Sequence, residues 1–355
     1  MFKLSKETID ILEDLERRLD PEVEEDLEGQ WREFLFNRAK DEIFVPSRIR
    51  NTPAGVPLRV NNINDDIADL SSMLHSQLSG ASSALARGGD NVNIRANYGT
   101  GILSSVFGAE LFIMPYKNNT LPTTRVVGGI DKIRSIVEAG IPSLTNGLGQ
   151  RVFDFGELCL EVFRKYPKVS RYLEVYHPDL QGPLDICELM WGTDMFYVMY
   201  DEPELVHSFL SLITDTYVAF MEKWQKMFPP RLDFNTHWGN LRHRGSIFIR
   251  NDSAMNLSPE LYEEFSVPYD SRLLERFGGG GVHFCGRGDH YIELLAKIPK
   301  MYAVQMSQPQ YNDMEKIYKH TVDKGIKLLA FNYDRALSDL CRAGGFHGNL
   351  HCGRG

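Results

Sequence analysis

The sequence predicts an α/β protein, a closed (β/α)8 barrel behind a helical extension, and three observations carry that expectation. Strand-like and helix-like segments alternate through the last quarter of the chain with little between them. Strand starts recur there about every 20 to 25 residues, the rhythm of successive βαβ units, which give parallel sheets with right-handed crossovers. No glycine-rich loop follows an early strand, so a doubly wound open sheet is the second choice.

The elements follow in order. Residues 6–40 carry apolar side chains at helical spacing (Ile9, Ile11, Leu12, Leu15, Leu19) in a field of acids and arginines, and read as surface helices broken at Pro21. Residues 1–42 are therefore assigned as the helical extension and 43–355 as the barrel. Turn chemistry at 51–55 and 87–90 surrounds short apolar runs, where boundaries are poorly marked. A long helix starts at Asp201, with Asp201 as N-cap, Pro203 in the first turn, and a stripe of Val206, Phe209, Leu210, Ile213, Tyr217, Phe220 and Trp224 for the core. Ser258-Pro259 opens another helix, which Pro268 kinks or divides. Strands are then expected at 282–285, 302–306, 327–332 and 346–351, and helices at 290–298, 313–324 and 334–343. Gly325 and the pair Gly344-Gly345 supply helix stops, and the tract 278–281 reads as a flexible turn rather than a phosphate cradle.

At 355 residues, with 43% apolar and 25% charged composition, the chain has material for one large barrel and its core. The net charge of -9 and pI near 5.6 give no general pull toward nucleic acid or anionic lipid. No run approaches the roughly 20 apolar residues of a membrane span, and the charged start lacks a signal-peptide core, so a cytoplasmic protein is expected. Five cysteines, at 159, 187, 285, 341 and 352, are an odd and scattered set that argues for reduced thiols.

The chemistry-bearing pattern is Gly-Val-His-Phe-Cys-Gly over 281–286. His283 and Cys285 sit two apart in a short strand, so both side chains leave it on one face. A further thiol, Cys352, arrives in Gly-Asn-Leu-His-Cys-Gly over 348–353. Imidazole with two thiolates suits zinc, and three protein ligands with an open fourth position is the catalytic arrangement. In a barrel, functional groups collect at the carboxyl ends of strands, which would gather His283, Cys285, residues 306–310, Asn332, Asp334 and Cys352 at one mouth. Cys159 and Cys187 lie in apolar segments, and Cys341 shares a helix stripe with Leu337 and Leu340, so these three read as packing residues. His351 points opposite to Cys352 on a strand and reads as barrel wall.

From about Gln181 onward the sequence resembles the uroporphyrinogen decarboxylase superfamily. The segment Gln-Gly-Pro-Leu-Asp-Ile-Cys-Glu-Leu-Met-Trp-Gly over 181–192, followed by Asp-Glu-Pro-Glu-Leu-Val over 201–206, is similar to that family's Gly-Pro-aromatic segment and the helix after it. Asn-Asp-Ser-Ala-Met-Asn-Leu-Ser-Pro over 251–259 and Phe-Asn-Tyr-Asp over 331–334 resemble its strand ends. The resemblance implies a TIM-type barrel with its site at the C-terminal mouth.

Two chemistries occur in that superfamily. Decarboxylases carry an Arg-Gln-Ala-Gly-Arg motif near the N-terminus and an Asp before Ile-Leu. Here the first is not visible, and Gly101 stands at the second in Asn-Tyr-Gly-Thr-Gly-Ile-Leu over 97–103. The zinc-dependent corrinoid:thiol methyltransferase branch matches better, with His283, Cys285 and Cys352 at its ligand positions. The resemblance then implies zinc as metal, a methylcobamide corrinoid as co-substrate, and a thiol or similar acceptor. It gives Asp252 as a resting ligand or substrate-orienting group, and Asn332 and Asp334 as mouth residues. Tyr98, Gln308 and Gln310 would touch substrate. For each of these the ordinary reading, a polar residue that ends a strand or caps a helix, stands beside the functional one. Porphyrinogen decarboxylation and noncatalytic corrinoid or metal binding remain the alternatives. A docking corrinoid protein is the expected partner, and a second subunit or the N-terminal helices would cover the barrel surface where the helix after the eighth strand is wanting.

Overall fold

The computed structural model describes residues 3–237, 241–342 and 344–353. Among these the strands are β1 (Ile43–Phe44), β2 (Asn93–Ile94), β3 (Leu111–Phe112), β4 (Thr123–Thr124), β5 (Glu174–Val175) and β6 (Phe234–His237). They continue with β7 (Leu241–Arg244), β8 (Ile247–Arg250), β9 (Gly280–Phe284), β10 (Met301–Met306), β11 (Lys327–Phe331) and β12 (Leu350–Cys352). Six of them form a parallel ladder in the order β1-β12-β11-β10-β9-β8. β2 and β5 pair with each other, also in parallel, whereas β3–β4 and β6–β7 are antiparallel hairpins. The α/β expectation therefore holds, with six strands of a parallel sheet laddered together. The alternation from β9 to β12 is as expected, each strand lying beside its predecessor, except that the last strand is the short Leu350–Cys352 rather than 346–351, because the chain is still turning at 346–348.

Local chemistry explains the element ends. Ser5 caps the helix Lys6–Arg18 by accepting from the Thr8 amide at 3.2 Å, and Asp20 caps Pro21–Phe36, whose proline occupies the first turn where no amide is needed. Ser258 caps Pro259–Phe265, and the chain restarts as Val267–Arg276, so Pro268 divides the two pieces as expected. The long helix is Pro203–Met227 and its expected stripe is buried from Val206 to Trp224. Its N-cap is Glu202 rather than Asp201, because Asp201 closes the preceding helix Met195–Asp201. Gly278 and Gly279, at φ 73° and 99°, make the turn into β9, where Gly281 has no room for a side chain beside the Phe248 ring and the Ala303 carbonyl.

The sheet has two faces, and alternation along each strand assigns them. Ile247 and Ile249, Val282 and Phe284, Val304 and Met306, Leu328, Leu350 and Cys352 join the main apolar core with the helices. Phe248, Ala303 and Leu329 face the other way, into a smaller cluster with Leu27, Trp31, Phe34 and Leu35 of the helix Pro21–Phe36. The N-terminal helices are thus only partly surface elements. Trp31 is 0% exposed and its ring lies 5.1 Å from Phe44 and 4.6 Å from His351, centroid to centroid, so the second helix covers the inner face of β1 and β12. The first helix is anchored to Leu70–Leu85 by Arg18, which donates to Ser82 while held 2.9 Å from Asp14 of its own helix. Among the described residues no helix is long and apolar enough to cross a membrane.

Two outcomes are expected from this packing. Trp31→Ala removes the largest side chain of the inner cluster and should cost about 3–5 kcal/mol in urea unfolding. Asp270, 1% exposed, is pushed up from 3.8 to about 7 by burial, against the hydrogen bonds from Ser266 and Asn251 that favour its charged form. A carboxyl raised in the folded state holds its proton more tightly there than in the unfolded chain, so its stabilising contribution is complete below about pH 4 and is lost as pH rises to about 7. Asp270→Asn, which keeps an oxygen for both donors, should flatten that part of the melting temperature's pH dependence, read by calorimetry at steps across the window.

Candidate metal centre

Strand ends at one edge of the sheet bring three ligating side chains together. β9 sends His283 to the inner face and leaves Cys285 just past its last hydrogen-bonded residue, and Asp252 follows the end of β8. Their donor atoms lie within 4.8 Å of one another. His283 Nε2 is 3.4 Å from Asp252 Oδ1 and 3.4 Å from Cys285 Sγ. Donors roughly 2.0–2.3 Å from a tetrahedral ion sit about 3.4 Å apart along the tetrahedron's edges, so the two separations from His283 fit zinc. A carboxylate, an imidazole and a thiolate also match zinc's borderline softness.

The neighbours set the state of each donor. Gln305, in register with His283 across β10, turns Oε1 to His283 Nδ1, and its own amide donates to the Met306 carbonyl at 3.3 Å. That orientation gives Nδ1 the proton and leaves Nε2 as a lone pair aimed at Cys285 and Asp252. Burial lowers the His283 pKa, with the Asp252 charge opposing, so the imidazole is the neutral, ligating form near neutral pH. The Cys285 thiol is pushed up by burial, partly offset by Ser307, whose Oγ lies 3.6 Å from the sulfur. Asp252 Oδ1 accepts the Cys285 amide at 2.6 Å, tying the two strand ends together. The Gly286 turn, φ 74°, then carries the chain away beneath Met255.

Behind Asp252 lies Asp185, 4% exposed, which accepts the amides of Asp252 at 3.0 Å and Ser253 at 2.7 Å. Burial, then the nearby Asp252 charge, raises it to about 7. Beside His283, Arg250 shares Asp179 with Arg95, at 2.7 Å and 2.9 Å respectively. Burial lowers Arg250 to about 10 while Asp179 holds it charged. Gln305 and Asp185 escaped the sequence reading. Each had one signal, a lone polar residue inside an apolar strand (301–306) and a lone acid in the first turn of an apolar helix (183–191).

The other expected site residues are placed as follows. Gln308 Oε1 accepts the Gly286 amide at 2.6 Å, one turn beyond Cys285. Gln310 is exposed in the short 3-10 turn Pro309–Tyr311. Asn332 caps the helix Tyr333–Asp339, accepting from Arg335 at 2.8 Å, and Asp334 is exposed in that helix's first turn. Tyr98 is 0% exposed in the main core. Cys352 is also 0% exposed and pairs with Phe331 on the helix-facing side of the sheet, outside the group formed by Asp252, His283 and Cys285. Burial raises its thiol to about 12. His351 turns to the inner face, opposite Cys352, as expected. Cys159 and Cys187 are core residues, but Cys341 is not. The helix stops at Asp339, so its stripe never continues, and Cys341 is exposed.

No protein-family model matches the chain, and no curated protein matches it. Among solved structures it is similar to a methyltransferase from Methanosarcina mazei, at 13% sequence identity and a TM-score of 0.59, over 92% of this chain and 92% of that one. At that identity the likeness is one of fold.

Proposed function

We propose that the chain is a zinc-dependent methyltransferase that moves a methyl group between a corrinoid and a thiol. The observation that carries the reading is the Asp252, His283 and Cys285 group at adjacent strand ends, with His283 Nε2 3.4 Å from each of the other two donors and all three donors within 4.8 Å. The fold likeness to a methyltransferase supports it, as does the order of the parallel strands. β1, β2, β5, β8, β9, β10, β11 and β12 follow one another as the eight strands of a (β/α)8 barrel would, behind a helical extension of residues 1–42, with the site at the carboxyl ends.

Bound zinc supplies Lewis acidity that holds a substrate thiol as thiolate near neutral pH. The protein's own residues prepare that state. Gln305 Oε1 accepts a hydrogen bond from Nδ1–H of His283, so Nε2 keeps its lone pair for a metal, and the buried surroundings disfavour the imidazolium that would compete with a cation. Asp185 holds the 252–253 turn by two amides, and the Cys285 amide holds the Asp252 carboxylate, so that group enters the site already oriented. Asp252 keeps 42% of its side chain exposed, which leaves it at the meeting point of site and substrate. Cys352 enters the donor set only if the end of β12 turns over, since its side chain leaves the opposite face of the sheet.

Metal content of purified variants tests the donor set. Wild type should hold about one zinc, and His283→Ala and Cys285→Ser should each lose most of it. Cys352→Ser should retain it, and Cys341→Ser as well. Retention by Cys285→Ser would place the metal elsewhere. The reaction is tested by mixing zinc-loaded protein with methylcobalamin and a panel of thiols while following cobalt absorbance. Loss of the methyl–cobalt band with one thiol is expected, slowed at least about 100-fold in Cys285→Ser. No discharge with any thiol would remove the methyl-transfer reading and leave the metal centre standing.

A further inference from the structure

β5 and β8 are consecutive among the parallel strands along the chain but are not laddered to each other among the described residues, and a cavity of about 300 Å³ opens beside them. Helices Gly149–Phe163 and Pro203–Met227 wall it on the outside, with Phe163, Leu173, Met221, Trp224, Phe228 and Phe234 giving it an apolar, largely aromatic lining. The volume equals about ten waters at ~30 Å³ each, yet such walls offer water few partners. It lies apart from the metal centre. Its lining includes Ser246, at the start of β8, whereas Asp252 follows that strand's far end.

Polar groups also enter the lining, and two features among them, a buried hydroxyl and a pair of arginines, bear on what could bind. Thr236, 2% exposed, has its hydroxyl buried with no hydrogen-bond partner among the described residues. A hydroxyl so placed carries a desolvation cost that a ligand atom would remove. At the rim stand Arg164 and Arg231. Arg231 Nη1 donates to the main-chain carbonyls of Ser170 and Arg171, which fix its position without neutralising it. The carboxylate lining this side, Glu174, is engaged 3.1 Å from Arg242. An aromatic slot with a cationic rim and an unmet hydroxyl is complementary to one kind of molecule.

We propose that this cavity is a second binding site, separate from the metal centre, for a small aryl-alkyl carboxylate. The ring lies among Trp224, Phe228 and Phe234, the carboxylate is received by Arg231 with Arg164, and a polar substituent on the ring side meets Thr236.

The probes are 3-(4-hydroxyphenyl)propanoate and its neutral amide, titrated into the full chain by calorimetry and by ligand-observed NMR. The acid should bind saturably at one site, and the amide at least about tenfold more weakly, since a charge-assisted pair is lost. Arg231→Ala should weaken the acid by a similar factor without changing the amide. Thr236→Val, isosteric and free of the orphaned hydroxyl, should remove the acid's preference over 3-phenylpropanoate. Zinc content should stay unchanged in both variants. Absence of saturable binding by wild type, or equal binding of acid and amide, would overturn the proposal. If Arg231→Ala does not fold, Arg164→Ala and the acid-against-amide comparison on wild type decide the matter alone.

Discussion

The period of two along β9 is the constraint on which the rest of this structure depends. A parallel strand buried on both faces must send alternate side chains to different environments, and Val282 and Phe284 are committed to the helix-facing core. His283 is thereby forced inward, beside Arg250 and Gln305 on the flanking strands. Cys285 leaves on the same side just as the ladder ends, and so escapes burial in the core. A slip of one residue would exchange the whole set, placing an imidazole among the helices and two apolar side chains at the candidate site.

Burying polar groups at that edge requires each to be met by another, and the strand ends supply the partners in layers. Gln305 meets His283, the Cys285 amide meets Asp252, and Asp185 meets the amides behind it. The donor atoms are consequently held by groups that are themselves held, which is the arrangement that keeps a ligand set in place before an ion arrives. Further in, Asp179 serves two guanidinium groups, Arg95 from the end of β2 and Arg250 from the end of β8. One carboxylate thus spans strands that no common ladder joins. Removing it would take a charge partner from two largely buried guanidinium groups at once, a larger loss than the net worth of the pairs.

The inner face is closed from the other end by the helix Pro21–Phe36. Trp31 and Phe34 pack on Phe44 and His351, so the first elements of the chain finish a surface begun by the last strand. His351 is thereby held in an apolar setting that lowers its pKa to about 3, and it takes the Ala330 amide at 3.0 Å. Ala330 itself, at φ 50°, marks the irregularity between β11 and β12 where the ladder shifts register.

What the sequence alone determined is whatever local periodicity and turn chemistry encode. The strand and helix alternation after Gly278, the burial stripe from Val206 to Trp224, the break at Pro268 and the shared face of His283 and Cys285 were all legible, because each depends on residues a few positions apart. The tertiary structure decided the partners. Asp252 looked no different from a helix-capping acid until β8 was laid beside β9, and Gln305 and Asp185 carry no local mark of the residues they support. Asn332 had the same appearance and turned out to cap its helix. Cys352 resembled a ligand in sequence but lies with Phe331 on the opposite side of the sheet, because a side chain's face is set by strand register, a long-range property that no neighbouring residue states.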